Sequence, residues 1–168
     1  MFFAEPLRED HDLSSFSSGN DELDMWLQDS AWNATRAGTA RTQVWLDADG
    51  AVVAYYASAP HLISREELPK KVGRGAPPVV PGYLLAKLAL SSELQGHPDR
   101  YGSVLLVDAL TWVLEAARQA GGKVVLVDAI DDAAVGYYEH HGFKPTPIER
   151  RLYMKFSDVA ASLDVPWP

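Results

Sequence analysis

Two successive strand–helix units constrain this chain more than any other feature. In the second unit, Lys123 to Ala129 (KVVLVDA) is a short apolar block rich in valine. Asp131 or Asp132 can cap the helix that follows, and Gly142 stops it before Phe143. The first unit begins with Tyr83 to Leu90 (YLLAKLAL), which pattern alone leaves open between helix and strand. The prolines before it and the turn after it favour a strand of about eight residues. From Ser103 onward, Leu106, Leu110, Val113, Leu114 and Ala117 share one helical face, and Gly121-Gly122 end that helix. Strand, crossover helix and strand together imply parallel pairing, so we expect an α/β sandwich with a parallel pair at the fourth and fifth strands.

Upstream, Asn20 or Asp21 can cap an amphipathic helix carrying Leu23, Trp26, Leu27 and Ala31 and ending near Gly38. Thr39 to Leu46 and Ala51 to Ala59 flank Asp47-Ala48-Asp49-Gly50 and read as a hairpin. Residues 60–82 hold many of the prolines together with Lys70, Lys71 and Arg74, and read as a long functional or mobile loop. Leu152 to Phe156 is the expected last strand, Trp112 is expected in the core, and no internal repeat is visible.

At 168 residues, 47% of them hydrophobic, the chain suits one domain with one core, spanning 1–168. The net charge of −8 argues against nonspecific nucleic-acid binding across the whole surface. Without cysteine there are no disulfides, thiol nucleophiles or thiolate metal sites. The five histidines show no HxxxH or HExxH spacing, so no metal is expected. No basic-then-apolar leader and no bilayer-length apolar run are present, so a cytoplasmic protein with no membrane partner is expected.

Two segments carry the chemistry. Gln95 to Ser103 lies between a strand and a helix, where backbone amides and the helix dipole can face a phosphate; a plain connection has the same composition. In Ala133 to Phe143, the pair Tyr137-Tyr138 precedes a Gly-Phe step, and could be two core aromatics or could place a phenol at a cleft mouth.

Taken together, the Tyr83 to Leu90 strand, the loop closing on Gly102, the helix from Ser103-Val104-Leu105-Leu106, the Val124 to Ala129 strand and the AxxYYxxxGF segment resemble the GNAT superfamily of acyl-CoA N-acetyltransferases. LDMWL, ARTQVWL, LLAKLAL and YYEHHGFKPT are similar to the TacT group of toxins from toxin–antitoxin pairs. The resemblance implies a mixed central sheet with helices on both faces and splayed fourth and fifth strands. It implies acetyl-CoA as co-substrate, paired through the main chain of Leu88, Ala89 and Leu90 and cradled by Gln95, Gly96, Arg100, Tyr101, Gly102 and Ser103. The usual loop, Q/R-x-x-G-x-G/A, is altered here: either two residues are inserted or Arg100 replaces the middle glycine. An arginine there can itself pair with a phosphate.

The resemblance also implies that Tyr138 is the proton donor to the departing sulfur, with Tyr137 packed. The acceptor would be the amino group of aminoacyl-tRNA, acetylated so as to block translation. A small DNA-binding antitoxin would be a partner, and a second copy of the chain could be another. Arg36, Arg41, Lys70, Lys71, Arg74, Lys144, Arg150 and Arg151 are the candidates for a tRNA-facing surface, with acidic residues gathered on the first helix and tail. His140 and His141 suit a helix C-terminus through its dipole. The rival readings are a GNAT enzyme for a small amine or a protein N-terminus, and an inactive CoA-binding module.

Overall fold

The computed structural model describes residues 2–168. The chain divides into two compact units: residues up to Ala59 with Ala86–Ala109, and Pro60–Leu85 with Leu110–Pro168. Its strands lie in one mixed sheet, in the spatial order β1 (Phe3–Pro6), β2 (Arg41–Leu46), β3 (Val52–Ser64), β4 (Val79–Leu90), β5 (Val124–Asp128), β7 (Arg151–Lys155) and β6 (Lys144–Pro145).

In the first unit, β1 (Phe3–Pro6) pairs antiparallel with β2 (Arg41–Leu46), and β2 with β3 (Val52–Ser64), a register shift falling between Trp45 and Leu46. The turn at Asp47–Gly50 makes this the expected hairpin. The helix expected from Asn20 to Gly38 is two helices, α1 (Asp21–Asp29) and α2 (Ala31–Ala37), broken at Ser30. Serine competes poorly in a helix interior, and Ser30 leaves helical geometry at φ −122° while its amide still reaches the Trp26 carbonyl at 2.9 Å. Both outer ends fall where expected. The Asn20 side chain accepts from the Leu23 amide at 3.0 Å, and Gly38 closes α2 in the left-handed region at φ +75°.

The spacing of Leu23, Leu27 and Ala31 turns one face of these helices onto the sheet. Leu27, Ala31, Val44, Val52, Tyr55 and Ala89 form one core cluster, joined by Phe16 and Leu7. Tyr55 is fully buried, stacks on Trp26 at 6.0 Å, and donates from its hydroxyl to the Leu23 carbonyl at 2.7 Å. Its polar tip is therefore satisfied within the core.

In the second unit, the expected loop over 60–82 is mostly ordered structure. Strand β3 continues to Ser64, a 3-10 turn covers Arg65–Glu67, helix α3 covers Lys70–Gly73, and β4 runs Val79–Leu90. Proline content suggests irregularity, yet burial of Ile63, Leu68, Val72 and Val80 in one cluster outweighs it. Pro81 is accommodated inside β4, and its carbonyl accepts from the Lys123 amide at 2.8 Å.

Helix α4 (Tyr101–Ala120) begins two residues before the expected Ser103, and Leu106, Leu110, Val113, Leu114 and Ala117 are all buried. Trp112 lies off that face and is only half-buried. Strand β5 (Val124–Asp128) has Val124, Val125, Leu126 and Val127 fully buried, which explains its unbroken apolar sequence. It pairs parallel with β4 from Gly82↔Val124 to Leu85↔Val127, and antiparallel with β7 (Arg151–Lys155). Helix α5 (Asp132–His140) follows β5, a short strand β6 (Lys144–Pro145) pairs with β7, and α6 (Phe156–Ser162) buries Phe156, Val159 and Ala160. Among the described residues no helix is long and apolar enough to cross a membrane.

Candidate active site

In the second unit the tyrosine pair sits on the last turn of α5. Asp131, in extended geometry, caps that helix by accepting from the Ala134 amide at 2.8 Å, and Asp132 adds an acidic first turn. At the other end the Phe143 amide returns to the Tyr138 carbonyl at 3.1 Å. That reversal brings the buried Phe143 edge-on to the Tyr138 ring at 5.5 Å, while Tyr137 packs edge-on to it at 5.2 Å. Tyr137 also meets His141 at 4.8 Å. The Tyr138 ring is thus held between two aromatics.

Burial pushes the Tyr137 phenol up to about 12. Burial holds Tyr138 well above the ordinary phenol value too, with Tyr137 adding to it. Both phenols are therefore protonated throughout the physiological range.

The strand pairing in this unit has a second consequence. Register between β4 and β5 runs from Gly82 to Leu85, and Leu88, Ala89 and Leu90 continue β4 beyond that register, in the first unit. A strand edge can accept an extended ligand through main-chain bonds.

In the first unit, β4 leads through the loop to α4. Gln95 spends its side-chain amide on two carbonyls, Ser18 at 2.7 Å and Leu90 at 2.8 Å. It straps the loop to the end of β4. Gly96 has φ +72°, and Arg100 holds the left-handed region at φ +54°. A non-glycine residue there costs about 1–2 kcal/mol, so Arg100 holds a glycine-type conformation. Its carbonyl caps α4 by accepting from Ser103 at 3.0 Å and Val104 at 3.3 Å. Its side chain is exposed, with no carboxylate within ion-pair distance among the described residues. A guanidinium beside a helix N-terminus repels the dipole and gains from a bound anion. Tyr101 donates to the Asp99 carboxylate at 3.0 Å, which draws that negative charge aside, and its ring rests on Phe2 at 5.1 Å and His97 at 4.9 Å. Gly102 and Ser103 lie in the first turn of α4.

Sequence reasoning missed Asp108, one carboxylate in the apolar run VLLVDALTWVL. It accepts from Trp45 Nε1 at 2.8 Å and from the Tyr56 hydroxyl. Trp45 and Tyr56 are buried, so this pair of bonds ties α4 to β2 and β3. It missed Lys87 as well, whose ammonium lies 5.8 Å from the Trp26 ring. That pair shares a hollow of about 440 Å³ with Glu22, Met25, Asp29 and Ser30.

The basic candidates separate by their partners. Arg151 makes a two-bonded pair with Asp128 at 2.7 and 2.9 Å, and Arg150 faces Asp132 at 3.4 Å. Arg41 donates to the Thr35 and Ala40 carbonyls at 3.1 and 3.3 Å. Arg36, Lys70, Lys71, Arg74 and Lys144 are exposed, with no carboxylate in ion-pair range among the described residues. Of the acidic residues, Asp21, Glu22 and Asp24 do gather in the first turn of α1, where they also suit its dipole.

The parallel β4–β5 pair registered from Gly82 to Leu85, with a glycine-containing loop opening a long helix, belongs to the GNAT fold of acyl-CoA N-acetyltransferases. Solved structures agree: a tyrosine-to-phenylalanine mutant of KacT superposes with TM-score 0.87 at 20% identity, covering 96% of this chain and 98% of that one. AtaT complexed with acetyl-methionyl-tRNAfMet superposes with TM-score 0.86 at 23% identity, covering 97% and 99%. A tRNA-acetylating toxin of Mycobacterium tuberculosis is 37% identical over 147 residues, 86% of this chain and 87% of that protein. This chain belongs to the family of tRNA-acetylating toxins. A probable toxin TacT of Sinorhizobium fredii is 29% identical over 160 residues, 89% of this chain and 87% of its own length. No family model matches the sequence.

Proposed function

We propose that this protein is a cytoplasmic toxin that moves an acetyl group from acetyl-CoA to the amino group of aminoacyl-tRNA, that residues 1–168 form one N-acetyltransferase domain, and that Tyr138 is its catalytic acid. The observation carrying the chemistry is the Tyr138 phenol, held between two aromatic rings and protonated at physiological pH as any phenol is. The substrate class rests on the family. Strands β3 and β4 and helix α4 each contribute to both compact units, which supports a single domain.

Acetyl-CoA fits the residues present. The main chain of Leu88, Ala89 and Leu90 continues β4 beyond its register with β5, and the exposed Arg100 guanidinium stands at the start of α4 with Gly96, Tyr101, Gly102 and Ser103 around it. Arg100 would hold a phosphate, and Gln95 fixes the loop through its side-chain bonds.

An α-amino group has an ordinary pKa of about 7.7–8.0, and the adjacent ester lowers it, so a substantial fraction of the acceptor is neutral near pH 7 and no strong base is needed. Its nitrogen forms the new bond to the acyl carbon as the carbon–sulfur bond breaks, and its proton leaves to water. Tyr138 donates to the departing sulfur. A phenol pushed above its ordinary value is a weaker acid than a thiol of pKa about 8.5, so its main contribution is a hydrogen bond that stabilises developing thiolate charge.

The solved AtaT structures include the toxin bound to the C-terminus of the antitoxin AtaR together with acetyl-CoA, and a KacTA–DNA complex is also known. By analogy, a small DNA-binding antitoxin partners this chain. Labelled acetyl-CoA offered with charged tRNA or with free amines tests the reading: label belongs on charged tRNA, and label found only on free amines would overturn it. Tyr138→Phe should lower kcat about 10²–10⁴-fold while leaving acetyl-CoA affinity within twofold. Retained turnover would remove Tyr138 from the acid's role.

A further inference from the structure

The segment between β3 and β4 builds a cavity of about 440 Å³ lined by Arg65, Glu66, Leu68, Lys70, Gly73, Arg74 and Gly75. Its charge is unbalanced. Arg65, Lys70 and Arg74 are all exposed and none has a carboxylate in ion-pair range among the described residues. Glu66, the one acid of the lining, is engaged by the Ser64 hydroxyl at 2.5 Å, and that bond holds its carboxyl below the usual range. It therefore stays ionised, and the lining keeps two net positive charges at neutral pH. In a chain of net charge −8, such a concentration is local and set by the fold.

The site is also built. Arg65 is fixed at its base, because its amide donates to the Pro78 carbonyl at 2.9 Å and one guanidinium nitrogen donates to the Ala76 carbonyl at 3.1 Å. Its stem lies directly against Gly73, where an added Cβ would meet Arg65 Cγ at 2.9 Å and the Arg65 carbonyl at 3.0 Å. Only glycine lets the arginine lie across α3. The remaining guanidinium N–H groups, the Lys70 ammonium and the Arg74 guanidinium are left for an outside acceptor.

We propose that this cavity holds backbone phosphates of the tRNA. The inference rests on the reading of charged tRNA as substrate and adds where the nucleic acid is gripped. A cavity of this volume exceeds a single phosphate. Its lining contains no aromatic ring on which a base could stack and one apolar side chain, Leu68, so it reads backbone charge and not sequence. Arg150, Arg151 and Arg41 have their donors engaged within the protein and contribute less.

The test is fluorescence anisotropy of labelled, deacylated tRNA against the full chain across a salt series, with acetyl-CoA binding measured by calorimetry. For Lys70→Glu/Arg74→Glu the tRNA Kd should rise at least about tenfold near 50 mM salt, and the slope of log Kd against log salt should fall by roughly 1.4–1.8, the loss of two phosphate contacts. Lys70→Arg/Arg74→Lys should bind as the wild type does. Acetyl-CoA affinity should stay within twofold in both. An unchanged tRNA Kd, a wild type that binds no tRNA, or a parallel loss of acetyl-CoA affinity each overturns the proposal. If tRNA binds and the charge reversal releases it, yet charged tRNA is never acetylated, the catalytic reading falls and this site stands.

Discussion

Replacing Asp108 by alanine tests whether one carboxylate ties α4 to the sheet. The substitution removes the acceptor of both the Trp45 indole N–H and the Tyr56 hydroxyl. Those donors belong to residues only 6% and 2% exposed, so water reaches them poorly once the partner is gone. A buried donor left unsatisfied costs about 1–3 kcal/mol, which puts two at about 2–6 kcal/mol. Asp108 is itself half-buried, and removing it returns part of its desolvation cost, so the lower part of that range, about 2–4 kcal/mol, is expected. With a urea m-value of about 2 kcal/mol/M, the unfolding midpoint should fall by roughly 1–2 M at unchanged slope. Asp108→Asn keeps one acceptor and should lose about half as much. The decisive measurement is a double-mutant cycle: Trp45→Phe should cost at least about 1 kcal/mol less in the Asp108→Ala background than in the wild type. A loss below about 0.5 kcal/mol for Asp108→Ala, or an additive cycle, would refute the reasoning.

Arg100→Gly should move two quantities in opposite directions: thermal stability rises by up to about 1 kcal/mol as the left-handed strain is relieved, while acetyl-CoA Kd increases several-fold through loss of a charged phosphate partner. Stability without loss of affinity would show that the guanidinium does not touch the cofactor. Gly73→Ala should weaken tRNA binding in the same anisotropy assay, because the new methyl displaces the Arg65 stem, and unaltered binding would dissociate that stem from the cavity. At the N-terminus, a bond from His11 at 2.5 Å, assisted by Arg8, holds the Glu5 carboxyl below its ordinary value. A depressed carboxylate stabilises the fold above its unfolded pKa and loses that contribution as pH falls through the folded one. Glu5→Gln should therefore be less stable than the wild type at pH 6–7, with the two denaturation midpoints converging as pH falls below the ordinary glutamate range and the wild-type carboxylate is protonated; a gap that persists in acid would point to packing instead of charge.

The fold was legible where one residue type had one use. Asn20, Asp131 and Gly38 mark helix ends by the chemistry of capping, and all occupy those ends. The valine block of β5 declared a strand buried on both faces, and the parallel pair followed from the helix between two strands. What was hidden depended on partners distant in sequence. The prolines of 60–82 read as irregular chain because the burial of Ile63 and Val80, which orders it, involves Val124, Leu126 and Tyr153 far downstream. Ser30 gave no warning that it would break a helix whose apolar spacing continues through it. Among the candidate site residues, Tyr138 is singled out by a motif, whereas the burial that raises its phenol pKa is set by tertiary packing. Asp108 and Arg65 carry no motif at all. The difference between Arg151 and Arg74 as candidate contacts lies entirely in Asp128, which the sequence places 23 positions away.

The strap made by Gln95 bears on how relatives of this chain are to be compared. Its amide nitrogen serves two carbonyl oxygens at once, from Ser18 and Leu90. Glutamate would turn oxygen toward oxygen, and asparagine falls one methylene short. Natural drift at this position is therefore confined by the scaffold alone. Persistence of glutamine here across distant lineages would record the upkeep of a hinge-free loop, and by itself would say nothing of whether a cofactor ever touches that side chain.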